Sequence, residues 1–231
     1  MSRLKLIATI VLIAPTIAFA QGDKTKKSAI QHITGEPYVY YYANFDGLPF
    51  YDDDWVKGDI TLLSGETYTN LQLRYDTYRD ELIYINNVNN NVIIIDKKSI
   101  REFILTNKLG QKELFKPIVH PKLHSASGNF FAIILEDSIS VVKKYETHEE
   151  MYNDASANTH KISHFVHKMS RYTWNNESLS TIPKWRWRLY KQFPEHKEEL
   201  RHFCLHHHIH MKSDADLRLL YTEVNRLIKS K

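Results

Sequence analysis

The chain predicts an α+β fold: an antiparallel β-meander (a twisted sheet, sandwich or partial barrel) followed by a C-terminal segment of two or three helices. Three observations carry this. Short β-prone runs recur about every ten residues between residues 37 and 178, each bounded by Asn, Asp, Gly or Ser. In the run over residues 66–75 apolar and polar residues alternate with the period of a half-buried strand. From residue 179 the texture becomes helical, with prolines and capping residues at the starts of apolar stripes.

The elements follow in order. Tyr38-Val39-Tyr40-Tyr41-Tyr42 is a strongly β-prone run, and Asp46-Gly47 is a turn signal. Residues 57–63 and 66–75 flank Ser64-Gly65, a hairpin pattern. In the second arm Leu71, Leu73 and Tyr75 share one face, while Asn70, Gln72 and Arg74 share the other. Strands are expected at 81–85, 92–95, 101–106, 113–119, 130–135 and 138–142. Residues 146–160 are polar and poorly periodic, which predicts a long loop, and 164–174 predicts a further strand. Ser180-Thr181 before Pro183 suggests a cap and first helical turn. Pro194 is placed to begin a second helix through Leu200, Phe203 and Cys204. Ser213 with Asp216 opens the last helix, whose stripe is Leu217, Leu220, Tyr221, Val224 and Leu227.

The first twenty residues read as a signal peptide. Arg3 and Lys5 form the positive region, an apolar stretch follows, and Ala18-Phe19-Ala20 is the small-x-small cleavage pattern. Cleavage is expected before Gln21, leaving a polar leader over 21–36 and then a β domain over 37–178. The apolar stretch is shorter than the roughly 20 residues a membrane span needs. The expected location is therefore periplasmic or secreted. The formal net charge of the whole chain is +4 without a long basic stripe, so nucleic acid is a poor partner. The single cysteine, Cys204, has no intramolecular disulfide partner and is expected as a small buried hydrophobe.

The segments Gly47-Leu48-Pro49-Phe50, Trp55-Val56-Lys57-Gly58, Leu63-Ser64-Gly65, Leu73-Arg74-Tyr75-Asp76 and Asp80-Glu81-Leu82 resemble a pattern in exported proteins of Bacteroidota. Gln192-Phe193-Pro194 onward is similar to their helical C-terminal part. The resemblance implies export and a β-then-α order. It brings no activity and no catalytic residues.

Candidate chemistry is sparse. His202, His206 and His210 have the i, i+4, i+8 spacing that places them on one side of a helix, where imidazoles can bind Zn, Ni or Cu. The alternative is a solvated helix end, where histidine suits the negative terminus. His160, His164 and His167 could share a metal only on a helix, because on a strand His164 and His167 point to opposite faces. Asp52-Asp53-Asp54 offers hard oxygen ligands but lacks calcium-loop spacing, so a solvated turn is expected. Tyr38, Tyr40 and Tyr42 would share one strand face and could line a groove for a sugar or peptide. In Lys184-Trp185-Arg186-Trp187-Arg188, Trp185 is expected to dock on the sheet with Leu189. Trp187 would then be the exposed aromatic, available to a ligand, a lipid headgroup or an anionic glycan.

The sequence holds no Gly-x-Ser-x-Gly and no His-Glu-x-x-His motif, and it has no phosphate-cradling glycine loop. The function expected is therefore an exported, non-enzymatic envelope module that holds a partner protein or a small apolar ligand. The alternatives are a metal-binding protein built on the C-terminal histidines and a hydrolase assembled from scattered residues. A groove joining carboxylates or a histidine with a carboxylate would favour the hydrolase.

Overall fold

A computed structural model describes residues 33–43, 45–86, 90–123, 128–153 and 161–230. The expected signal peptide and most of the expected leader lie outside the described residues, as does His160. Twelve strands form one sheet: β1 (Gly35–Pro37), β2 (Phe45–Asp46), β3 (Val56–Leu62), β4 (Thr67–Asp76), β5 (Glu81–Asn86), β6 (Asn91–Ile95), β7 (Ile100–Thr106), β8 (Lys112–Ile118), β9 (Asn129–Leu135), β10 (Ser140–Asn153), β11 (Lys161–Trp174) and β12 (Leu179–Thr181). Among the described residues three α-helices follow: α1 (Arg186–Gln192), α2 (Lys197–His206) and α3 (Asp214–Lys229).

The strand order is β1-β6-β5-β4-β3-β7-β8-β9-β10-β11-β12, with β2 pairing in parallel to β11. All other pairings are antiparallel. The chain thus meanders outward from β3 to β6, returns to the other side of β3 as β7, and meanders on. The sheet is open rather than closed into a barrel. It nevertheless rolls over: Tyr75 on β4 lies 5.5 Å (ring centroids) from Phe115 on β8 and 5.9 Å from Phe130 on β9. Those strands are well separated in the sheet order, so only curvature brings them together. Tyr68, Leu73, Tyr75, Leu82, Phe103, Phe115 and Phe130 fill the inside of the roll. Aromatic edge-to-face and stacked contacts knit this interior together.

A second core lies between the sheet and the helices. Leu189, Leu200, Cys204, Leu217, Leu220, Tyr221 and Val224 pack with Ile134 and Val141. Cys204 is fully buried there, as its role of small hydrophobe requires. The Ser213 hydroxyl accepts from the Asp216 backbone N–H at 3.2 Å and opens α3 as the capping pattern predicted.

Four expectations need correction. Residues 38–42 form no strand; β1 is the short segment just before them. The tyrosine run is instead irregular, tied at one end where the Tyr38 N–H donates to the Val92 carbonyl at 3.0 Å and at the other where Tyr42 Oη donates to Asp76 at 2.8 Å. Residues 146–153 are not a loop but the distal half of β10, paired residue by residue with β11 up to Asn153↔Lys161. Residues 179–181 do not begin a helix: they pair with β11 as β12, and helix starts only at Arg186, after an uncapped Trp185. Finally α2 ends at His206, and His208 adopts a left-handed conformation with φ 50°. The chain turns there, so His210 leaves the helix that would have aligned it with His202 and His206.

Candidate functional site

Among the described residues a groove of about 500 Å³ is open to solvent and lined by five separate pieces of chain. The loop after the Phe50 bridge supplies Phe50, Tyr51, Asp52 and Asp53; the β4–β5 turn supplies Thr77; the β7–β8 turn supplies Lys108. Strand β10 adds Tyr145 and Glu146, and β11 adds His167, Lys168 and Met169. Pairing sets the strand contribution. Tyr145 lies opposite Met169 and Thr147 opposite His167, so these four share a face of the hairpin.

Two hydrogen-bonded systems hold the lining in place. The Thr77 hydroxyl donates to Pro49 O at 2.8 Å, an acceptor with no proton of its own. Its proton thus committed, Thr77 accepts from the Thr147 hydroxyl at 2.6 Å. Thr147 in turn can only accept from His167 Nδ1, 2.9 Å away. The direction of the chain therefore assigns the Nδ1–H to His167 and leaves Nε2 as the ring's second hydrogen-bonding nitrogen in the groove wall. Both threonines are buried, so water does not compete for these bonds.

The second system centres on Glu113. Its carboxylate accepts from Tyr51 Oη at 2.6 Å and from Tyr145 Oη at 2.9 Å, and it pairs with Lys143. Burial and then the Glu113 carboxylate push both phenols well above the ordinary tyrosine range, so they remain protonated donors. Lys143 also reaches Asp214 at 2.7 Å, and Arg171 Nε meets the same carboxylate at 2.7 Å. This ladder runs from the groove through β8, β10 and β11 to the first turn of α3. Burial opposes the charge of Asp214, but Lys143 and Arg171 outweigh it and hold the carboxyl below its usual range. At the mouth, Lys108 Nζ meets Asp54 at 2.8 Å, an exposed pair that is worth little.

The residues singled out in the sequence are scattered. Tyr42 is buried against Asp76, while Tyr40 is 46% exposed and Tyr38 is half-buried. The Tyr38 phenol has no hydrogen-bond partner, and burial, with Asp76 close by, raises it to about 12. Tyr40 stacks edge-on against Tyr42 at 5.6 Å, so the three do not line one strand face. Trp187 is exposed as expected, but Trp185 is 62% exposed and does not dock on the sheet; Leu189 alone is buried there. His202 and His206 stack at 6.2 Å on α2, without His210. Among the described residues no group of three or more His, Cys, Asp or Glu is arranged to hold a metal ion. His164 points toward Glu150, 3.9 Å away, on the opposite hairpin face from His167, as strand geometry predicted. Asp52 accepts from the Asp54 backbone N–H at 3.1 Å while the Asp54 carboxylate turns to Lys108, which is a solvated turn.

Sequence reasoning missed Thr77, Thr147, Glu113, Tyr51 and Tyr145. They come from four separate pieces of chain, the loop before β3, the β4–β5 turn, β8 and β10, and Tyr145 and Thr147, which share β10, are tied by no motif to the rest. No protein-family model matches the chain, no curated protein matches it, and no solved structure matches it.

Proposed function

We propose that the chain is an exported binding module of the cell envelope, periplasmic or secreted, and that its ligand occupies the groove between Tyr51 and His167. The observation that supports this most is the pre-set polarity of the lining. Phe50, Tyr51, Tyr145 and Met169 offer apolar walls, while His167, held by Thr147, offers a fixed hydrogen-bonding edge. Concave sites with a few oriented polar groups on an apolar wall are the usual form of a small-molecule site. The ligand this favours is a small molecule or peptide segment carrying both apolar and polar groups, more polar than the apolar cargo expected at the outset.

The test is a native mass spectrum of the protein isolated from its own cells. A stoichiometric extra mass on the wild-type chain, lost in His167→Ala, is the expected result. An adduct retained by His167→Ala would move the site elsewhere. A bare wild-type chain would exclude a resident small molecule and assign the groove to a protein segment.

A second reading has a specific observation in its favour. Asp52, Asp53, Glu146 and His167 line the same groove, the juxtaposition that hydrolysis by scattered residues would need. His167 is oriented by a hydroxyl rather than a carboxylate, which favours binding over proton abstraction.

A further inference from the structure

The segment from Lys184 to Lys191 carries four cations and two tryptophans and no carboxylate. Its helix, α1, is already anchored: Leu189 is fully buried among Leu200, Cys204 and Ile182, and Arg186 donates to the Cys204 carbonyl. The two indoles are therefore not core residues awaiting a place. Trp185 is 62% exposed and Trp187 is 51% exposed. Half of the chain's four tryptophans thus face solvent within three positions of each other. The Arg188 guanidinium sits 5.1 Å from the Trp187 ring centroid and Lys191 Nζ sits 5.0 Å from it, so cations frame the indole face. Among the described residues Lys184, Arg188 and Lys191 have no ion-pair partner.

We propose that this face is a docking surface for an anionic lipid membrane, with Trp185 and Trp187 seated at the headgroup boundary and Lys184, Arg188 and Lys191 on lipid phosphates. Indoles settle at that boundary because the ring is apolar and the Nε1–H needs a polar acceptor. Each cation near an anionic surface adds attraction that salt screens. Neutral sugars are a poorer fit, because their hydroxyls call for carboxylates or amides beside the ring, and residues 184–191 contain none. No helix of the described residues is long and apolar enough to cross a membrane, so the contact is peripheral. It is independent of the groove and survives if the ligand reading fails.

The experiment is co-sedimentation of the protein, isolated from its own cells, with vesicles of phosphatidylcholine alone or mixed with phosphatidylglycerol. Tryptophan emission is followed in parallel. The expected result is binding to the mixed vesicles at low salt, release at high salt and a blue shift of the emission. The Lys184→Gln/Arg188→Gln/Lys191→Gln variant should bind on the order of a hundredfold more weakly. The Trp185→Ala/Trp187→Ala variant should lose most of the blue shift and at least about tenfold in affinity. Any leader contribution is common to all three chains, and thermal unfolding of the variants reports whether they fold. Equal binding by the folded variants and the wild type would overturn the proposal, as would equal binding to neutral vesicles. Capture by a soluble acidic polysaccharide, with no binding to mixed vesicles, would overturn it in favour of a glycan.

Discussion

Asp80 sits between two ammonium groups, Lys97 Nζ at 2.6 Å and Lys144, and accepts from Tyr75 Oη at 2.5 Å and from the Phe130 N–H at 3.2 Å. These partners come from β4, β9, β10 and the turn before β7, so one carboxylate ties the two sides of the rolled sheet together. Burial opposes its charge, yet Lys144 and Lys97 outweigh burial and hold the carboxyl below its usual range. Lys144 is lowered, because burial works against the ammonium more than Asp80 favours it. Removing the carboxylate charge would leave Lys144 buried beside Lys97 without a counter-ion. Asp80→Asn is therefore expected to cost about 3–5 kcal/mol, measured by urea unfolding, whereas Asp80→Asn/Lys144→Met should cost less than the single change. An unchanged midpoint in the single variant would mean that water reaches the cluster. Nothing in the sequence announced this site. Lys143 and Lys144 lie just beyond the strand expected at 138–142, and the roll of the sheet buries them. The role of Gly58 is set by pairing too: it stands at a bulge of β3 against β4, where a Cβ would lie 2.6 Å from Leu73 Cδ1.

The elements themselves were readable wherever one face is buried and the other wet. Turn residues around β-prone runs marked β3 to β9, with alternation clearest in β4, and the apolar stripe marked α3. These signals failed for the outer half of β10, because that part of the hairpin runs beyond β9, which pairs only with residues 141–143. Glu149, Glu150 and Met151 there are exposed, so the apolar face that marks a strand is missing, and the cross-strand hydrogen bonds leave no trace in composition. The tyrosine run failed oppositely: its β propensity is high, but Tyr42 turns inward to Asp76 at the end of β4 while Tyr40 and Tyr41 stay exposed. The groove inherits both difficulties, since it needs the β10–β11 register and the roll of the sheet before its lining exists. How α3 is held is a further feature of elements rather than sequence. Asn225 Oδ1 accepts from the Ile139 N–H at 2.8 Å and its Nδ2 donates to the Ile139 carbonyl at 2.9 Å. The side chain completes the backbone of the β9–β10 turn in a buried setting. Asn225→Ala would orphan both groups and should destabilise the chain by about 1–3 kcal/mol, seen as a lower melting temperature and faster amide exchange at Ile139. Loss of stability without faster exchange at Ile139 would place the effect elsewhere in α3.

At the scale of the whole molecule, three polar ties join separate parts of the fold: the Asp80 cluster across the roll, the Glu113–Lys143–Asp214–Arg171 ladder from the sheet to α3, and the Thr77–Thr147–His167 chain to the hairpin. Two of them depend on a carboxylate held below its usual range, Asp80 and Asp214. A carboxyl lowered on folding binds its proton more weakly in the native state than in the unfolded chain. Its stabilisation is present in full above the unfolded value, about 3.9 for Asp, and disappears as pH falls through the folded value. Asp76 and Glu81 act in the opposite sense, because burial raises both, and they partly offset the loss on acidification. Asp80 is by far the more enclosed of the two lowered groups, with 10% of its side chain exposed against 37% for Asp214. Most of the acid sensitivity should therefore belong to the roll of the sheet rather than to the helical cover. Denaturant midpoints measured down to acid pH should fall below about pH 4 in the wild type, nearly as steeply in Asp214→Asn, and much less steeply in Asp80→Asn. Equal slopes in all three would show that neither tie governs acid stability. A flattened curve in Asp214→Asn alone would transfer that role to the ladder beneath the groove.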